Sequence, residues 1–353
     1  MIKYLKIEGL NGNTTPLEFN FNNDLNLFTG LNGCGKTTVL KILWFVNSGN
    51  LHDLTREIVF QEIKVCSDNY EVEIKKKDET FLAECKRNGK LVFKFEDDIN
   101  LLQRRVRIDY RSLFQPMSEN SIFFPTFRRI EGGFSMETRG FRYRKETFPL
   151  KEALSDLSEE LSSDKHQFIA SVSTDDITNL LYKEYSSIVR SINDFQKEKF
   201  ELIQKKIKCK KGRKSEEILR EIESDITEVE KNREEKIRPF TTLENMVISI
   251  FHKKGIEIDT ITFGDSINAI SSDKLSAGEK QMLSFLCYNT FSKNKIIFID
   301  EPELSLHQDW QRILIPTLLR QNNNNQFFIA THSPFIYASY PDKEIILNRN
   351  KGE

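Results

Sequence analysis

The chain has 353 residues, of which 30% are charged and 38% hydrophobic, and its formal net charge is −1. A chain of this length can bury a sizeable core and suggests about two domains. The balanced charge excludes a protein that is basic throughout, so any nucleic-acid surface must be local. The sequence has neither a run of about 18 apolar residues nor an apolar signal core, so we expect a cytoplasmic protein with no membrane partner.

The cysteines are scattered along the chain and form no CxxC pair; they are Cys34, Cys66, Cys85, Cys209 and Cys287. This spacing argues against a zinc site and against a disulfide framework. We therefore interpret them as reduced thiols in a reducing compartment.

The first hundred residues predict an N-terminal lobe, residues 1–100. Alternating or apolar runs at 2–9, 17–21 and 25–29 predict strands, and a helix is expected over 36–45. Four further β-type runs, separated by charged or glycine-containing turns, predict an antiparallel sheet; they cover 57–65, 70–75, 80–85 and 91–95.

A connecting region, residues 101–175, follows and is rich in arginine and aromatic side chains between 104 and 145. Arginine and aromatic side chains can bind nucleic acid by charge and by stacking on the bases. The region can equally hold ATP, a second subunit or a partner nuclease.

Residues 176–237 change to a helical period and predict an antiparallel hairpin. The apolar positions are Leu181, Tyr185, Ile188, Ile192, Phe195 and Leu202, then Leu219, Ile222, Ile226 and Val229. Gly212 breaks the two helices, and Pro239 is expected to end the arm. Helices of about 30 residues would reach roughly 45 Å. The pattern then returns to α/β in a C-terminal lobe, residues 238–353.

A glycine loop between the strand at 25–29 and the following helix fits GxxxxGK[ST] from Gly30 to Thr37. Backbone N–H groups of such a loop cradle phosphate oxygens, helped by the helix N-terminus. Lys36 is expected to reach the β- and γ-phosphates, and Thr37 to offer its hydroxyl to Mg²⁺. The predicted ATP-binding residues are Asn32, Gly33, Cys34, Gly35, Lys36, Thr37 and Thr38.

An apolar run at 296–299 ends in Asp300 and Glu301. A buried strand that ends in two carboxylates suits a nucleotide site. We expect Asp300 to hold Mg²⁺ through water and Glu301 to polarise the attacking water.

The segment Leu275-Ser-Ala-Gly-Glu-Lys-Gln281 resembles the signature of ABC-type P-loop ATPases, in the form found in SMC, Rad50 and OLD-like proteins. The resemblance implies that Ser276, Ala277, Gly278 and Glu279 contact the ATP of a second subunit. Physically, the hydroxyl, the close approach that glycine permits and the helix N-terminus suit an anion. Ala277 stands where many relatives have glycine.

Two later segments follow the order of the same family. Ser305, Leu306 and His307 resemble its D-loop and are implied to lie at a dimer interface. His332, after the apolar run at 326–330, resembles the switch histidine that senses the γ-phosphate. The Q-loop glutamine stays open: Gln103 and Gln115 are both candidates, the latter as a possible Mg²⁺ ligand, and Arg128 and Arg129 are an alternative.

The pattern EPELSLHxxWQ followed by THSPF is similar to AAA-type ATPases of prokaryotic phage-defence systems. Only about twenty residues follow His332, so we expect no TOPRIM nuclease domain on this chain. It resembles the ATPase subunit of PARIS- or Septu-type pairs, which implies a separately encoded effector, a nuclease.

The predicted hairpin tip is strongly basic, with Lys205, Lys206, Lys208, Lys210, Lys211, Arg213 and Lys214. These residues can contact DNA phosphates or an acidic partner such as a phage protein. They also suit a solvated helix end.

The sequence thus predicts an α/β P-loop ATPase of ABC type, with an antiparallel β lobe and an inserted helical hairpin. It would close ATP and Mg²⁺ between two copies and regulate a separate effector. The alternative is a DNA-repair or chromosome-maintenance ATPase that acts on DNA directly. The LSAGE form and the hairpin argue against a transporter subunit.

Overall fold

The computed structural model divides the chain into two units, Met1–Val172 with Ser292–Glu353 (unit 1) and Ser173–Phe291 (unit 2). The residues it describes are 1–77, 80–98, 119–126, 129–130, 149–172, 174–208, 215–251 and 275–347.

The strands belong to unit 1 and follow the alternating and apolar runs of the sequence. They are β1 (Ile2–Glu8), β2 (Leu17–Asn20), β3 (Leu25–Thr29), β4 (Glu62–Ser67), β5 (Glu71–Lys77), β6 (Thr80–Arg87), β7 (Lys90–Asp98), β8 (Ser121–Phe124), β9 (Arg129–Ile130), β10 (His166–Phe168), β11 (Ser171–Val172), β12 (Ile296–Asp300), β13 (Gln326–Ala330) and β14 (Glu344–Ile346).

The helices occur in both units. They are α1 (Lys36–Ser48), α2 (Leu51–Glu57), α3 (Pro149–Leu161), α4 (Thr174–Lys208), α5 (Ser215–Phe251), α6 (Ala277–Thr290), α7 (Gln308–Arg320) and α8 (Pro334–Tyr337). Of these, α4, α5 and α6 form unit 2. The part of the chain that the structure describes contains no helix long and apolar enough to cross a membrane.

Two sheets build unit 1. One is antiparallel, in the order β2-β1-β4-β5-β6-β7, and confirms the predicted β lobe. The other is parallel, in the order β10-β8-β12-β13-β3-β14. Every residue of β3, β12 and β13 is buried, as is usual for parallel strands covered on both faces.

The core of unit 1 lies around α1, whose side chains are buried from Val39 to Ser48 except Lys41. Trp44 of this helix packs against Phe123 and Phe298, with ring centroids 5.6 and 6.2 Å away. These two phenylalanines belong to neighbouring parallel strands. The helix that follows the glycine loop is therefore fixed against the sheet that carries Asp300.

The strand register decides where the site forms. Asp300 of β12 pairs with Ala330 of β13, and Ala330 pairs with Phe28 of β3. The carboxyl ends of three adjacent parallel strands therefore meet at one sheet edge, where open α/β sheets bind their ligands. This arrangement is the α/β P-loop fold of ABC type that the sequence predicts.

Some predicted boundaries differ from the structure. The run at 57–65 was predicted as one strand, but α2 ends at Glu57 and β4 begins only at Glu62. The apolar residues between them, Ile58 and Phe60, are buried in the core without strand pairing. Burial, rather than strand formation, explains their apolar character.

The predicted hairpin is confirmed in unit 2 and is longer than expected. Helices α4 and α5 run antiparallel, joined by ion pairs such as Lys199–Glu228 (2.6 Å). The prediction that Pro239 ends the arm is wrong, because α5 continues through it to Phe251. An interior proline costs about 3 kcal/mol. Burial of Phe240, Leu243 and Val247 directly after it, at about 1.5–3 kcal/mol each, offsets that cost.

The predicted apolar seam holds only for the proximal part of the hairpin. Leu181 and Ile192 are buried, but Leu202, Leu219 and Ile226 are exposed. Charged side chains take their place between the distal helices, as described below. The free thiols of the described residues are Cys34, Cys66, Cys85 and Cys287, whereas Cys209 lies outside them.

Candidate functional site

The glycine loop connects β3 to α1 and has backbone angles that favour glycine. Gly30, Gly33 and Gly35 have φ values of +133°, +77° and +103°. A Cβ at Gly30 would lie 2.5 Å from the carbonyl oxygen of Leu347, so this position also needs the missing side chain. Asn32 and Gly33 are exposed at the loop apex. The loop therefore presents backbone N–H groups beside the N-terminus of α1.

Lys36 is the first residue of α1, and its side chain is 4% exposed. Its Nζ donates to the carbonyl oxygens of Gly30 (3.1 Å) and Leu31 (3.2 Å) and lies 3.8 Å from Cys34 Sγ. It is also 3.4 Å from Nδ1 of His332. The ammonium group is thus folded over the loop that is predicted to hold phosphates.

Asp300 at the end of β12 receives two hydroxyl groups. Thr37 Oγ1 donates to Oδ1 at 3.0 Å, and Thr126 Oγ1 donates to Oδ2. Asp300 is 1% exposed. Hydroxyl and carboxylate oxygens form a hard donor set that fits Mg²⁺, which takes one or two protein groups and completes its shell with phosphate and water. Thr37 and Asp300 are therefore the residues that would hold the ion.

Thr126 was not predicted from the sequence. It lies in the segment that was considered for its arginines, Arg128 and Arg129. Arg128 lies outside the described residues, and of Arg129 the structure describes only the backbone, in β9. The sequence signal for Thr126 was a hydroxyl side chain two residues after the buried strand β8. This hydroxyl reaches Asp300 because β8 pairs directly with β12.

Glu301 follows Asp300 in a left-handed conformation (φ +48°, ψ +61°), which is unusual for a residue with a side chain. Its N–H donates to Ala330 O at 2.9 Å, and its Oε1 lies 3.5 Å from His332 Nε2. Burial raises the pKa of Glu301, the nearby Asp300 charge raises it further, and His332 opposes both. Glu301 and His332 are therefore neighbours, at the edge where Lys36, the third predicted catalytic residue, also lies.

Glu303 holds the His332 loop in place and was missed by the sequence reasoning. Its carboxylate accepts from Thr331 Oγ1 at 2.9 Å and from the backbone N–H of His332 at 2.5 Å. The signal was present as the second glutamate of the EPE motif.

Gln311 of α7 adds a second connection to the same loop. Its Nε2 donates to Leu306 O at 2.7 Å, and its Oε1 accepts from Ser333 Oγ at 2.6 Å. The segments EPELSLHxxWQ and THSPF are thus joined by hydrogen bonds of Glu303 and Gln311. These bonds connect the segment after β12 to the segment after β13.

The residues that resemble a D-loop differ in exposure. Leu306 is 5% exposed and packs inside its own chain, whereas Leu304 is 62% exposed and His307 is also exposed. His307 Nδ1 accepts from Asp309 N at 3.4 Å and caps α7. Leu306 therefore has no surface for a partner in this structure, and Leu304 replaces it as the apolar surface group of this segment.

The predicted signature lies in unit 2, at the start of α6. Ser276 and Glu279 form a capping box: Ser276 Oγ accepts from Glu279 N (3.3 Å), and Glu279 Oε2 accepts from Ser276 N (2.7 Å). A hydroxyl that accepts one bond keeps its hydrogen for donation. Ser276 is exposed, and Ala277 and Gly278 are partly exposed.

Several predicted site residues lie outside the described part of the chain. They are Gln103, Gln115, Arg128, Lys210, Lys211, Arg213 and Lys214. At the end of α4, Lys205 and Lys208 are exposed, and Lys206 pairs with Asp225 at 2.6 Å.

Residues 25–338 match the protein family described as "AAA domain, putative AbiEii toxin, Type IV TA system". The chain belongs to this family. This assignment agrees with the P-loop ATPase motifs of the sequence, the glycine loop from Gly30 to Thr37 and the apolar run that ends in Asp300 and Glu301.

Two curated relatives match shorter stretches. Endonuclease GajA of Bacillus cereus (strain VD045) is 36% identical over 75 residues, which cover 20% of this chain and 13% of GajA. The "Retron Ec83 probable ATPase" of Escherichia coli is 32% identical over 95 residues, 23% of this chain and 18% of that protein. The matched part of this ATPase thus spans less than a fifth of either relative.

Solved structures also overlap with this ATPase. A Pyrococcus furiosus Smc head domain with an extended coiled coil, bound to the C-terminal domain of ScpA, has a TM-score of 0.41 at 14% identity and covers 96% of this chain and 91% of its own. A "putative ABC transporter (ATP-binding protein)" from Pyrococcus furiosus has a TM-score of 0.35 at 10% identity, with 98% of both chains covered.

Proposed function

We propose that the chain binds ATP with Mg²⁺ at the glycine loop and hydrolyses it. One observation carries the proposal: Lys36, Asp300, Glu301 and His332 meet at one sheet edge, linked by distances of 3.0 to 3.5 Å through Thr37 and His332. Lys36 would bind the phosphates, and Thr37 and Asp300 would hold Mg²⁺. The bound ion would neutralise charge on the phosphates.

Glu301 is the proposed general base for the attacking water. Its backbone N–H donates to Ala330 O, and its carboxylate lies 3.5 Å from His332 Nε2, which supports a role beside the bound phosphates. His332 lies between Glu301 and Lys36 and would sense the phosphate that Lys36 binds. A positioned general base contributes about 10²–10⁴-fold to rate. Glu301→Gln should therefore lower kcat for phosphate release at least about 100-fold.

We further propose that two copies close around ATP. The exposed signature at Ser276–Glu279 in unit 2 supports this proposal, since it has the donor chemistry for a phosphate held by a second copy. Exposed Leu31 in the glycine loop and Leu304 after β12 offer apolar surface for the same closure. Removal of the γ-phosphate would then release the two copies.

The closure test uses the hydrolysis-deficient variant. Glu301→Gln should gain mass with ATP in light scattering, and Glu301→Gln combined with Lys36→Ala should not. Glu57→Gln is the matched control, because it removes a carboxylate from a surface ion pair with Lys41. An unchanged mass of the Glu301→Gln protein with and without ATP, measured under conditions that give a monomer at the start, would contradict ATP-driven closure.

We propose that the ATP state regulates a separately encoded effector, a nuclease, in a defence complex. The relatives support this class of role by name, since one is an endonuclease and the other a retron ATPase. The protein purified without any partner should not cut DNA or RNA. Cleavage that depends on ATP and disappears in Glu301→Gln would refute this division of labour.

Direct action on DNA is the second candidate function. Lys205 and Lys208, exposed at the end of α4, favour it. Salt-sensitive DNA binding that disappears when the seven basic residues from Lys205 to Lys214 are replaced would support this function over the first. The pairing of Lys206 with Asp225 leaves that side chain less suited to phosphate contact.

A further inference from the structure

The distal part of the hairpin carries an apolar stripe, defined as Phe200 and Ile207 of α4 with Leu219 and Ile226 of α5. Their exposures are 61, 45, 59 and 48%, in that order. Within each helix the two residues are seven apart, which is close to two turns, so each pair lies on one side of its helix. Exposed large apolar side chains that cluster in this way mark an interaction surface.

The register of the hairpin brings these pairs together. Lys199 contacts Glu228 at 2.6 Å, and Lys206 contacts Glu221 at 3.7 Å. Because α4 and α5 run in opposite directions, this register sets Phe200 level with Ile226 and Ile207 level with Leu219.

The two pairs also share a face of the hairpin. Lys199 and Asp225 lie in the seam, the space between the two helices. Phe200 is the residue after Lys199, and Ile226 is the residue after Asp225. Each is therefore rotated about 100° from the seam in its own helix. Since the helices are antiparallel, the same rotation brings both side chains to the same side of the hairpin.

The seam itself explains why the stripe faces outward. Asp225, 8% exposed, lies between Lys199 (3.6 Å) and Lys206 (2.6 Å). These charges occupy the space between the helices that apolar side chains fill in the proximal half. The apolar residues of the distal half are therefore left for another surface.

Charged residues border the stripe with opposite sign on its two sides. Exposed Lys197 and Lys208 lie along the outer edge of α4, and the exposed Glu201 lies between them, further from the stripe than Lys197. Exposed Glu216, Glu223 and Glu230 lie along the outer edge of α5, each seven residues from the next. The charged residues nearest the stripe therefore differ in sign, with Lys197 on the α4 side and Glu223 and Glu230 on the α5 side.

We propose that this face binds the same face of a second copy, with both hairpin tips pointing in the same direction. A two-fold axis parallel to the hairpin sets α4 of one copy over α5 of the other. Phe200 then meets Ile226, and Lys197 of one copy lies level with Glu230 of the other. The arrangement with opposed tips would stack α4 on α4 and bring like charges together, so the charge pattern selects the parallel one.

This contact is independent of the nucleotide site, so its test needs no ATP. The full chain has a monomer mass of 41.3 kDa. Light scattering without nucleotide should give twice that mass, for the wild type and for Lys36→Ala alike. Phe200→Glu should weaken the dimer about 100-fold or more, since each substitution acts twice in a two-fold dimer and each 1.4 kcal/mol is tenfold.

The matched control is Leu202→Glu. Leu202 lies on the same helix and is 39% exposed. Because it is two residues from Phe200, about 200° around the helix, it points to the opposite side of the hairpin. It should leave the dimer unchanged. Circular dichroism on both variants verifies that the helices are retained.

A charge swap tests the orientation. Lys197→Glu and Glu230→Lys should each weaken the dimer about tenfold, and the double variant should recover wild-type affinity. A monomeric wild type, including one that binds a different protein through the stripe, would overturn the proposal. So would a dimer that survives Phe200→Glu, or a double variant that adds the two losses. The Phe200→Glu protein also provides the monomeric background for the ATP closure test, so the two proposals fail separately.

Discussion

Glu303 is expected to position His332 for ATP hydrolysis without contacting the phosphates. Its carboxylate accepts the Thr331 hydroxyl at 2.9 Å and the His332 backbone N–H at 2.5 Å. Glu303→Gln keeps the size of the side chain. However, an amide oxygen can replace only one of the two acceptor oxygens, and its NH₂ group then faces a donor.

The magnitude follows from those two bonds. A hydrogen bond to a charged group contributes about 1.5–3 kcal/mol, and each 1.4 kcal/mol is a factor of ten. Loss of one bond should lower the population of correctly placed His332 and reduce kcat about 10- to 100-fold. Lys36 and Thr37 keep their own contacts, so KM for ATP should change less than about threefold.

The assay is steady-state phosphate release over a range of ATP concentrations. Glu344→Gln is the control, because Glu344 also accepts a threonine hydroxyl, from Thr29 at 2.6 Å, but does not contact His332. Its kcat should stay close to that of the wild type, because the amide oxygen of the introduced glutamine can still accept this single hydroxyl. If Glu303→Gln instead raised KM at unchanged kcat, Glu303 would act in binding and the positioning argument would be wrong.

Three further outcomes test the site and the arm. Burial raises the pKa of Glu301, so the ionised carboxylate destabilises the folded state at pH values above the pKa of the unfolded state. Glu301→Gln should therefore raise Tm at pH 7.5, and the gain should vanish below about pH 4, where the carboxyl is protonated in both states. A gain in Tm that persists at low pH would refute the electrostatic cause. Gly30→Ala should lower the denaturation midpoint more than Gly35→Ala, since its Cβ would meet Leu347 O at 2.5 Å whereas at Gly35 nothing lies within 4 Å; equal losses in a urea titration would leave only the backbone angle as the cause. Pro239→Ala should raise Tm, because it restores a backbone hydrogen bond of the helix and removes a proline that costs about 3 kcal/mol. A lower Tm, measured by circular dichroism, would contradict that account.

The nucleotide chemistry could be predicted from local patterns because the fold constrains it locally. A glycine loop must follow a strand and open a helix, and this is the case between Thr29 and Lys36. The runs before Asp300 and His332 predict strands, and the structure pairs these strands in parallel so that their carboxyl ends share an edge. Lys36, Asp300 and Glu301 could therefore be assigned from local patterns, whereas His332 was assigned by the resemblance of its segment to a known family.

Residues that act through long-range contacts could not be found in this way. Thr126 reaches Asp300 only because β8 pairs with β12, and Glu303 reaches His332 only because β12 pairs with β13. Leu306 resembled an interface residue, but its burial depends on how α7 packs on its own chain. Pairing and packing of this kind are set by the whole core.

The hairpin marks the same division between sequence and tertiary structure. Two amphipathic helices could be predicted from the sequence alone, because the helical period is a local property; the predicted breaker Gly212 lies outside the described residues. The sequence did not determine which apolar residues face inward. The 3.6-residue period allowed Leu219 and Ile226 in the seam, but the ion cluster around Asp225 fixed a register that turns them outward. Only the pairing of α4 with α5 decided that, since an antiparallel register depends on contacts between residues far apart in the chain.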